Sequence, residues 1–199
     1  VAIAVATYVG GVFQSAEGAS VSAIASNTSS IQVSAEAQAS AATYAMAGAA
    51  GFGVVQDVDG YNAAVAFTNT GTLLVNTSVE ARNADAGSPS YGGAVAVAAA
   101  VGVMQYASGG GEEKSSTATA TVDNQNTIAV AADANAVGTT YAESAAIGQG
   151  ISQSAYADSA SASVLNSAAI TVNGTADARA EFGAVGVASV TAIEQDVEG

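Results

Sequence analysis

Residues 11–14 read Gly-Val-Phe-Gln and residues 27–33 read Asn-Thr-Ser-Ser-Ile-Gln-Val, and both motifs return along the chain. In most repeats the Asn follows the Gln by 13 residues and the next Gln follows the Asn by 29, so the unit is 42 residues. One unit carries 7 extra residues near 84–90 and another carries 6 near 109–114. A fixed period of this length predicts a repeat architecture, built as a single array over residues 1–199.

Three kinds of residue mark each repeat. A glutamine closes the first motif, an asparagine opens the second, and a glycine usually stands three residues before the glutamine. The glutamines are Gln14, Gln56, Gln105, Gln153 and Gln195, the asparagines are Asn27, Asn69, Asn124 and Asn166, and the glycines are Gly11, Gly53, Gly102 and Gly150.

The repeat between residues 27 and 68 divides into three segments. In the first, apolar and polar residues alternate between positions 31 and 40, which is typical of a half-buried strand. In the second, from Ala45 to Gln56, Ala and Gly form one face, and the alternation changes phase at Gly53. A glycine that recurs at a phase change indicates a bulge or bend. The third segment alternates again between positions 63 and 68. Both insertions fall between segments, where loops tolerate extra length.

Apolar spacing of two excludes a helical array, although alanine is a strong helix former. A propeller blade of similar length is the alternative, but blades usually carry four strands and larger packing residues. The pattern therefore favours an all-β parallel β-solenoid (β-helix), with coils of about 42 residues and three strands. Because the inward residues are small, the core is expected to be flattened and lined by Ala and Gly.

The composition excludes several classes of function. The chain has 17 acidic and 3 basic residues, a net charge of −14, and neither His nor Cys. Nucleic-acid binding needs clustered basic residues, and an anionic membrane surface would repel this chain. No apolar run is long enough to predict membrane insertion. His, the commonest acid–base group, and the Cys nucleophile are missing, so we expect no enzyme activity. A polysaccharide-active β-helix enzyme, using a carboxylate pair, is the remaining enzymatic alternative.

Calcium is the one cofactor that the sequence suggests. Asp57 and Asp59 stand in the stretch Asp-Val-Asp-Gly-Tyr-Asn, which offers oxygen ligands in an expected turn. The stretch matches no EF-hand loop, and other repeats lack these acids. Solvated surface carboxylates are therefore the favoured interpretation, and no cofactor is expected.

The recurring amides predict a structural role. Stacked repeats would place each Gln above its copy and each Asn above its copy, and such amides can hydrogen-bond from one repeat to the next. We expect these rows to hold the repeats in register. A ligand-binding or catalytic role for the same amides is the alternative.

The motifs Gly-[Val/Ile]-x-Gln and Asn-[Ser/Thr]-x-x-Ile-x-Val, with alternating Ala, resemble the β-strand-repeat regions of large bacterial surface proteins, including autotransporter-like and adhesin-like passengers. The resemblance implies a secreted, elongated structure at the bacterial surface or outside the cell. We expect a structural fibre or cell-surface stalk whose partner is itself, through end-to-end stacking or through more repeats of the same chain. An adhesin segment that binds surface glycans or a receptor is the alternative.

Overall fold

The computed structural model describes residues 1–83, 92–110 and 115–199, and these are almost entirely β-strand. The insertion near 84–90 lies outside the described residues, as do residues 111–114 of the second insertion. The strands are β1 (Ala2–Asn27), β2 (Ser30–Ala41), β3 (Tyr44–Asn69), β4 (Thr72–Asn83), β5 (Gly93–Gly109), β6 (Thr117–Asn124), β7 (Ile128–Val137), β8 (Tyr141–Tyr156), β9 (Ser159–Asn166), β10 (Ile170–Arg179) and β11 (Gly183–Glu198).

The strands form two parallel sheets. A seven-stranded sheet contains β1, β3, β5, β6, β8, β9 and β11 and curves into a nearly closed form, and a four-stranded sheet has the order β10-β7-β4-β2. Strand partners come from equivalent positions of successive repeats, such as Gln14 with Gln56 and Asn27 with Asn69. The 42-residue period of the sequence is therefore the step from one hydrogen-bonded strand to the next.

The expected solenoid of stacked three-strand coils is wrong. The second and third segments of the repeat, expected as separate strands, run together as the single 26-residue strands β1 and β3. They separate only in later repeats, as β5 with β6 and β8 with β9. The physical reason lies at the corner between the segments, where the backbone at Gly18 and Gly60 keeps its pairing. In the next repeat extra residues follow Gly109, and in the one after it the pairing stops at Tyr156 and resumes at Ser159 without any insertion. The result is one curved sheet with a second sheet beside it.

Alanine and valine fill two hydrophobic clusters. The larger lies between the four-stranded sheet and the first half of the long strands, and it includes Val33, Ala47 and Ala96. The smaller joins the second half of these strands to the segments that follow, around Val58 and Ala118. The side chains are small, so the strands approach closely and the clusters stay thin.

The recurring glycine marks the change from one cluster to the other. After Gly53, the residues Val54, Val55 and Gln56 are all buried in succession, so the simple alternation stops there. A Cβ atom at the equivalent Gly102 would lie 2.5 Å from the carbonyl oxygen of Gly150 and 3.0 Å from Cγ2 of Ile128. Only glycine fits such a close approach of backbone to backbone.

Candidate functional site: two rows of amides

The Gln row consists of Gln14, Gln56, Gln105, Gln153 and Gln195. Each Nε2 donates to Oε1 of the preceding glutamine at 2.8 Å, from Gln56 through to Gln195. The three central members are at most 1% exposed. The row therefore lies inside the protein, where a missing partner would leave a costly unsatisfied group.

The direction of the Gln row is set by the backbone. Nε2 of Gln56 also donates to the carbonyl oxygen of Ala66 at 3.0 Å, and Nε2 of Gln105 donates to that of Thr121 at 2.9 Å. A carbonyl oxygen can only accept, so the amide nitrogen must face it. Every Oε1 then points towards the next repeat, and all donors of the row point towards the β1 edge of the sheet.

The Asn row consists of Asn27, Asn69, Asn124 and Asn166, which end strands β1, β3, β6 and β9. Here each Nδ2 donates to Oδ1 of the following asparagine, at 2.7–2.8 Å. Nδ2 of Asn27 also donates to the carbonyl oxygen of Thr72 at 2.9 Å. The amide donors of the Asn row thus point in the opposite direction to those of the Gln row. At either end of the two rows, one row therefore ends in an amide donor and the other in an amide acceptor.

Neither row offers a reactive group. The central amides have their donors and acceptors occupied by each other and by backbone carbonyls. These amides fix the register of the strands. A slip of one residue would move a buried amide to the outer face and break the hydrogen bonds of the row.

The calcium candidates Asp57 and Asp59 lie within strand β3, not in the turn that the sequence suggested. Both are exposed and stand at alternate positions on one face. Among the described residues, no three His, Cys, Asp or Glu side chains come close enough to share a metal ion. The two carboxylates fall short of the six to eight oxygens that calcium takes, and the expectation that the chain holds no cofactor stays a prediction.

One carboxylate has a clear structural task that the sequence did not reveal. Asp158 Oδ2 accepts hydrogen bonds from the backbone N–H groups of Ser115 and Ser116, at 3.0 and 3.1 Å, and from the Ser116 hydroxyl at 3.1 Å. These donors favour the charged carboxylate and hold the pKa of Asp158 below its usual value. These hydrogen bonds anchor Ser115 and Ser116, which follow the second insertion. No repeat signal marks Asp158, because the equivalent positions of the first two repeats hold Ala19 and Tyr61.

A groove lies on the outer side of the seven-stranded sheet, where the long strands change phase. Its volume is about 430 Å³. Three apolar residues line it, Phe13, Val55 and Met104, together with six that carry polar groups: Gln56, Asp57, Gln105, Tyr106, Ser152 and Ser154. A concave space of this size can hold a small molecule. The recurring motifs of the sequence do not mark this groove, and of its lining residues outside the Gln row only Asp57 was a candidate, for calcium.

The chain was compared with protein-family models, with curated proteins and with solved structures, and none of them matches it. Within the described residues, no helix is long and apolar enough to cross a membrane.

Proposed function

We propose that the chain is a structural protein, a segment of an extracellular fibre or of a bacterial cell-surface stalk. The observation that carries the proposal is the pair of amide rows, which run through four or five successive repeats. Within each row, the hydrogen bonds have nearly the same length and all point the same way. Such rows add one identical set of hydrogen bonds for each repeat. They suit an array that gains length and stiffness by repetition, and they leave no reactive group for catalysis.

The mechanical logic follows from the parallel pairing. Each strand is held to the next by backbone hydrogen bonds along its length, and the amide rows add buried bonds in the same direction. Acidic residues on the outer faces, within a net charge of −14, oppose random lateral aggregation. The extracellular location rests on the resemblance to bacterial surface repeats.

The native material tests this proposal directly. Electron microscopy and fibre diffraction of the full-length protein isolated from its source should show extended filaments or stalks with an axial spacing of about 4.8 Å. Compact particles without this axial spacing would refute the structural role.

The groove supports a second candidate, an adhesin segment that binds surface glycans. Tyr106 is 41% exposed at its rim, beside the carboxylate of Asp57, and an aromatic ring next to hydrogen-bonding groups can hold a sugar. Glycan-array binding that is lost in Tyr106→Ala would support this candidate. Tyr141→Ala is the matched control, because Tyr141 is 42% exposed and lies outside the groove. Equal loss in both variants, or no binding by the wild type, would count against it.

A further inference from the structure

The outer side of the seven-stranded sheet carries a nearly uncharged apolar surface. This apolar face is formed by the outward residues at positions 3–5 of β1, 46–50 of β3, 95–99 of β5, 143–147 of β8 and 185–189 of β11. Glu143 is its one charged residue. Large apolar side chains on it are well exposed, for example Ile147 at 50% and Val187 at 57%.

The sequence of β5 shows why this face is unusual. Residues 94–103 contain no polar side chain, so both sides of the strand are apolar. Parallel strands with this pattern are normally buried on both faces. The inward side of β5 meets that expectation, since Ala94, Ala96 and Ala98 are fully buried. The outward side has no cover within the described residues.

The four-stranded sheet has charged residues on its outward side, as is usual for a surface exposed to water. The outward side of the four-stranded sheet carries Glu36, Glu80, Asp133 and Asp177 among its residues. The two outer surfaces of the protein therefore differ in kind: one is acidic and hydrated, the other is apolar over five neighbouring strands.

The centre of the apolar face has a regular relief. One row across the strands reads Val5, Gly48, Val97, Ala145 and Val187, so large and small side chains alternate from strand to strand. A two-fold axis halfway between Gly48 and Val97 would place each Val97 over the other copy's Gly48. The same axis would place each Val5 over the other copy's Ala145. Ridges would meet hollows across the four strands β1, β3, β5 and β8, as in tightly packed sheet pairs, and Val187 of β11 would lie outside the contact.

We propose that the apolar face is a pairing surface for a second copy of this chain, packed face to face about this two-fold axis. The four strands that this axis superposes, about 4.8 Å apart, and three alternate positions about 6.8 Å apart span roughly 400 Å² per copy. Two copies would bury roughly 800 Å², the size of a weak, transient interface. An exposed apolar patch of this size marks an interaction site, and a partner with the same relief and few charges fits it.

Gly48 provides a sharp test, because its substitution changes the surface and spares the fold. A Cβ atom at Gly48 would meet only the carbonyl oxygen of Val97, at an ordinary 3.8 Å. Gly48→Val is therefore expected to fold normally, and valine suits a strand better than glycine does. It fills the hollow that would receive Val97 of the second copy. Val97→Asp is the complementary variant, since it places a charge at the centre of the face.

Sedimentation of the purified full chain, over a range of concentrations at physiological salt, measures the pairing. The wild type is expected in monomer–dimer equilibrium. In Gly48→Val and Val97→Asp the dissociation constant should rise by at least about tenfold. Leu74→Asp is the matched control, because Leu74 faces outward on the four-stranded sheet; its dissociation constant should equal that of the wild type. Thermal melting of each variant checks that the fold is retained.

The salt dependence adds a second readout. Two copies that each carry −14 repel one another, and salt screens this repulsion, so pairing should strengthen as salt rises. A wild type that stays monomeric at all concentrations overturns the proposal, and so does a Gly48→Val dimer of unchanged affinity. A monomer that binds neutral lipid vesicles through Val97 would also overturn it, because the occupant would then be a membrane.

This inference does not depend on the proposed fibre function. It uses the outer face of the seven-stranded sheet, whereas the fibre proposal uses the buried rows of Gln and Asn. Filaments without paired copies would overturn only the inference, and compact dimers without the axial spacing would overturn only the fibre.

Discussion

Replacing Gln105 by Leu tests whether the Gln row holds the repeats together. Gln105 is 1% exposed, and its Nε2 donates to Oε1 of Gln56 and to the carbonyl oxygen of Thr121, while its own Oε1 accepts from Gln153. Leucine has a similar size and needs no hydrogen bond. The substitution therefore leaves Oε1 of Gln56 and one N–H of Gln153 buried without partners.

The expected loss follows from these orphaned groups. Each costs about 1–3 kcal/mol, and the leucine side chain returns about 1–2 kcal/mol through apolar burial. Gln105→Leu should thus lower the free energy of unfolding by about 3 kcal/mol. Replacing Gln56, Gln105 and Gln153 together removes donors and acceptors in pairs. The triple variant should therefore lose clearly less than three times the single loss, because replacing both partners of a buried bond is nearly neutral.

Urea unfolding followed by circular dichroism measures both losses. Gln38→Leu is the matched control: Gln38 is exposed on the four-stranded sheet and bonds only to Glu36 at 2.8 Å, so its change should stay within about 0.5 kcal/mol. A Gln105→Leu variant as stable as this control would refute the reasoning, since it would mean that the row contributes nothing. A triple variant whose free energy of unfolding falls by three times the single loss would refute the expectation that removing both partners of a buried bond is nearly neutral.

Gly102→Ala should lower the free energy of unfolding by about 2–3 kcal/mol in the same assay, because its Cβ would lie 2.5 Å from the carbonyl oxygen of Gly150; alanine at the open Gly48 should be neutral. The lowered pKa of Asp158 means that its stabilising effect is present above its ordinary value of 3.8 and is lost as pH falls through the lower folded value. The protection factor of the backbone N–H of Ser116, which is its hydrogen exchange relative to the intrinsic rate at each pH, should therefore fall on acidification. In Asp158→Asn it should already be low near pH 6 and show no such step. Millimolar calcium should shift the melting temperature by less than about 1 °C, since the two candidate aspartates supply too few oxygens; a shift of several degrees would show a real site.

Local alternation predicted the inward residues of the four-stranded sheet well. Val33, Ala35 and Ala37 are buried while Gln32 and Ser34 are exposed, because a strand covered on one face must alternate. The joining of two segments into β1 and β3 could not be predicted in the same way. It depends on whether the backbone keeps its partners through a corner, and side-chain periodicity contains no information about that.

The candidate site shows the same division. Recurrence alone located both amide rows, because one partner must lie directly above the other in a parallel register. Recurrence could not locate the apolar face, whose residues vary from Met46 to Val95 to Glu143. The signal for that face was the loss of polar residues on both sides of β5, and it is visible only when each face of the strand is considered separately.

The net charge of each copy determines at which salt concentrations the proposed pairing is stable. With each copy treated as a point charge of −14 and centres roughly 20 Å apart, the screened repulsion in water is about 3 kcal/mol at 0.15 M salt and about 20 kcal/mol at 0.01 M. Roughly 800 Å² of apolar contact contributes about 20 kcal/mol before the 4–15 kcal/mol cost of association. Attraction therefore exceeds repulsion at physiological salt and not at low salt.

A third copy meets a different surface. Once two apolar faces are joined, both outer surfaces of the pair are the acidic sides of the four-stranded sheets, with Glu36, Glu80 and Asp133 exposed or partly exposed. A further copy would have to bury Glu36 and Asp133, which have no basic partner among the described residues, together with the Glu80–Arg82 ion pair, at a cost of several kcal/mol for each unpaired ion. Lateral association should therefore stop at two, while growth along the amide rows meets no such barrier. A filament two copies wide, whose width does not increase with concentration, is the form that these surfaces favour.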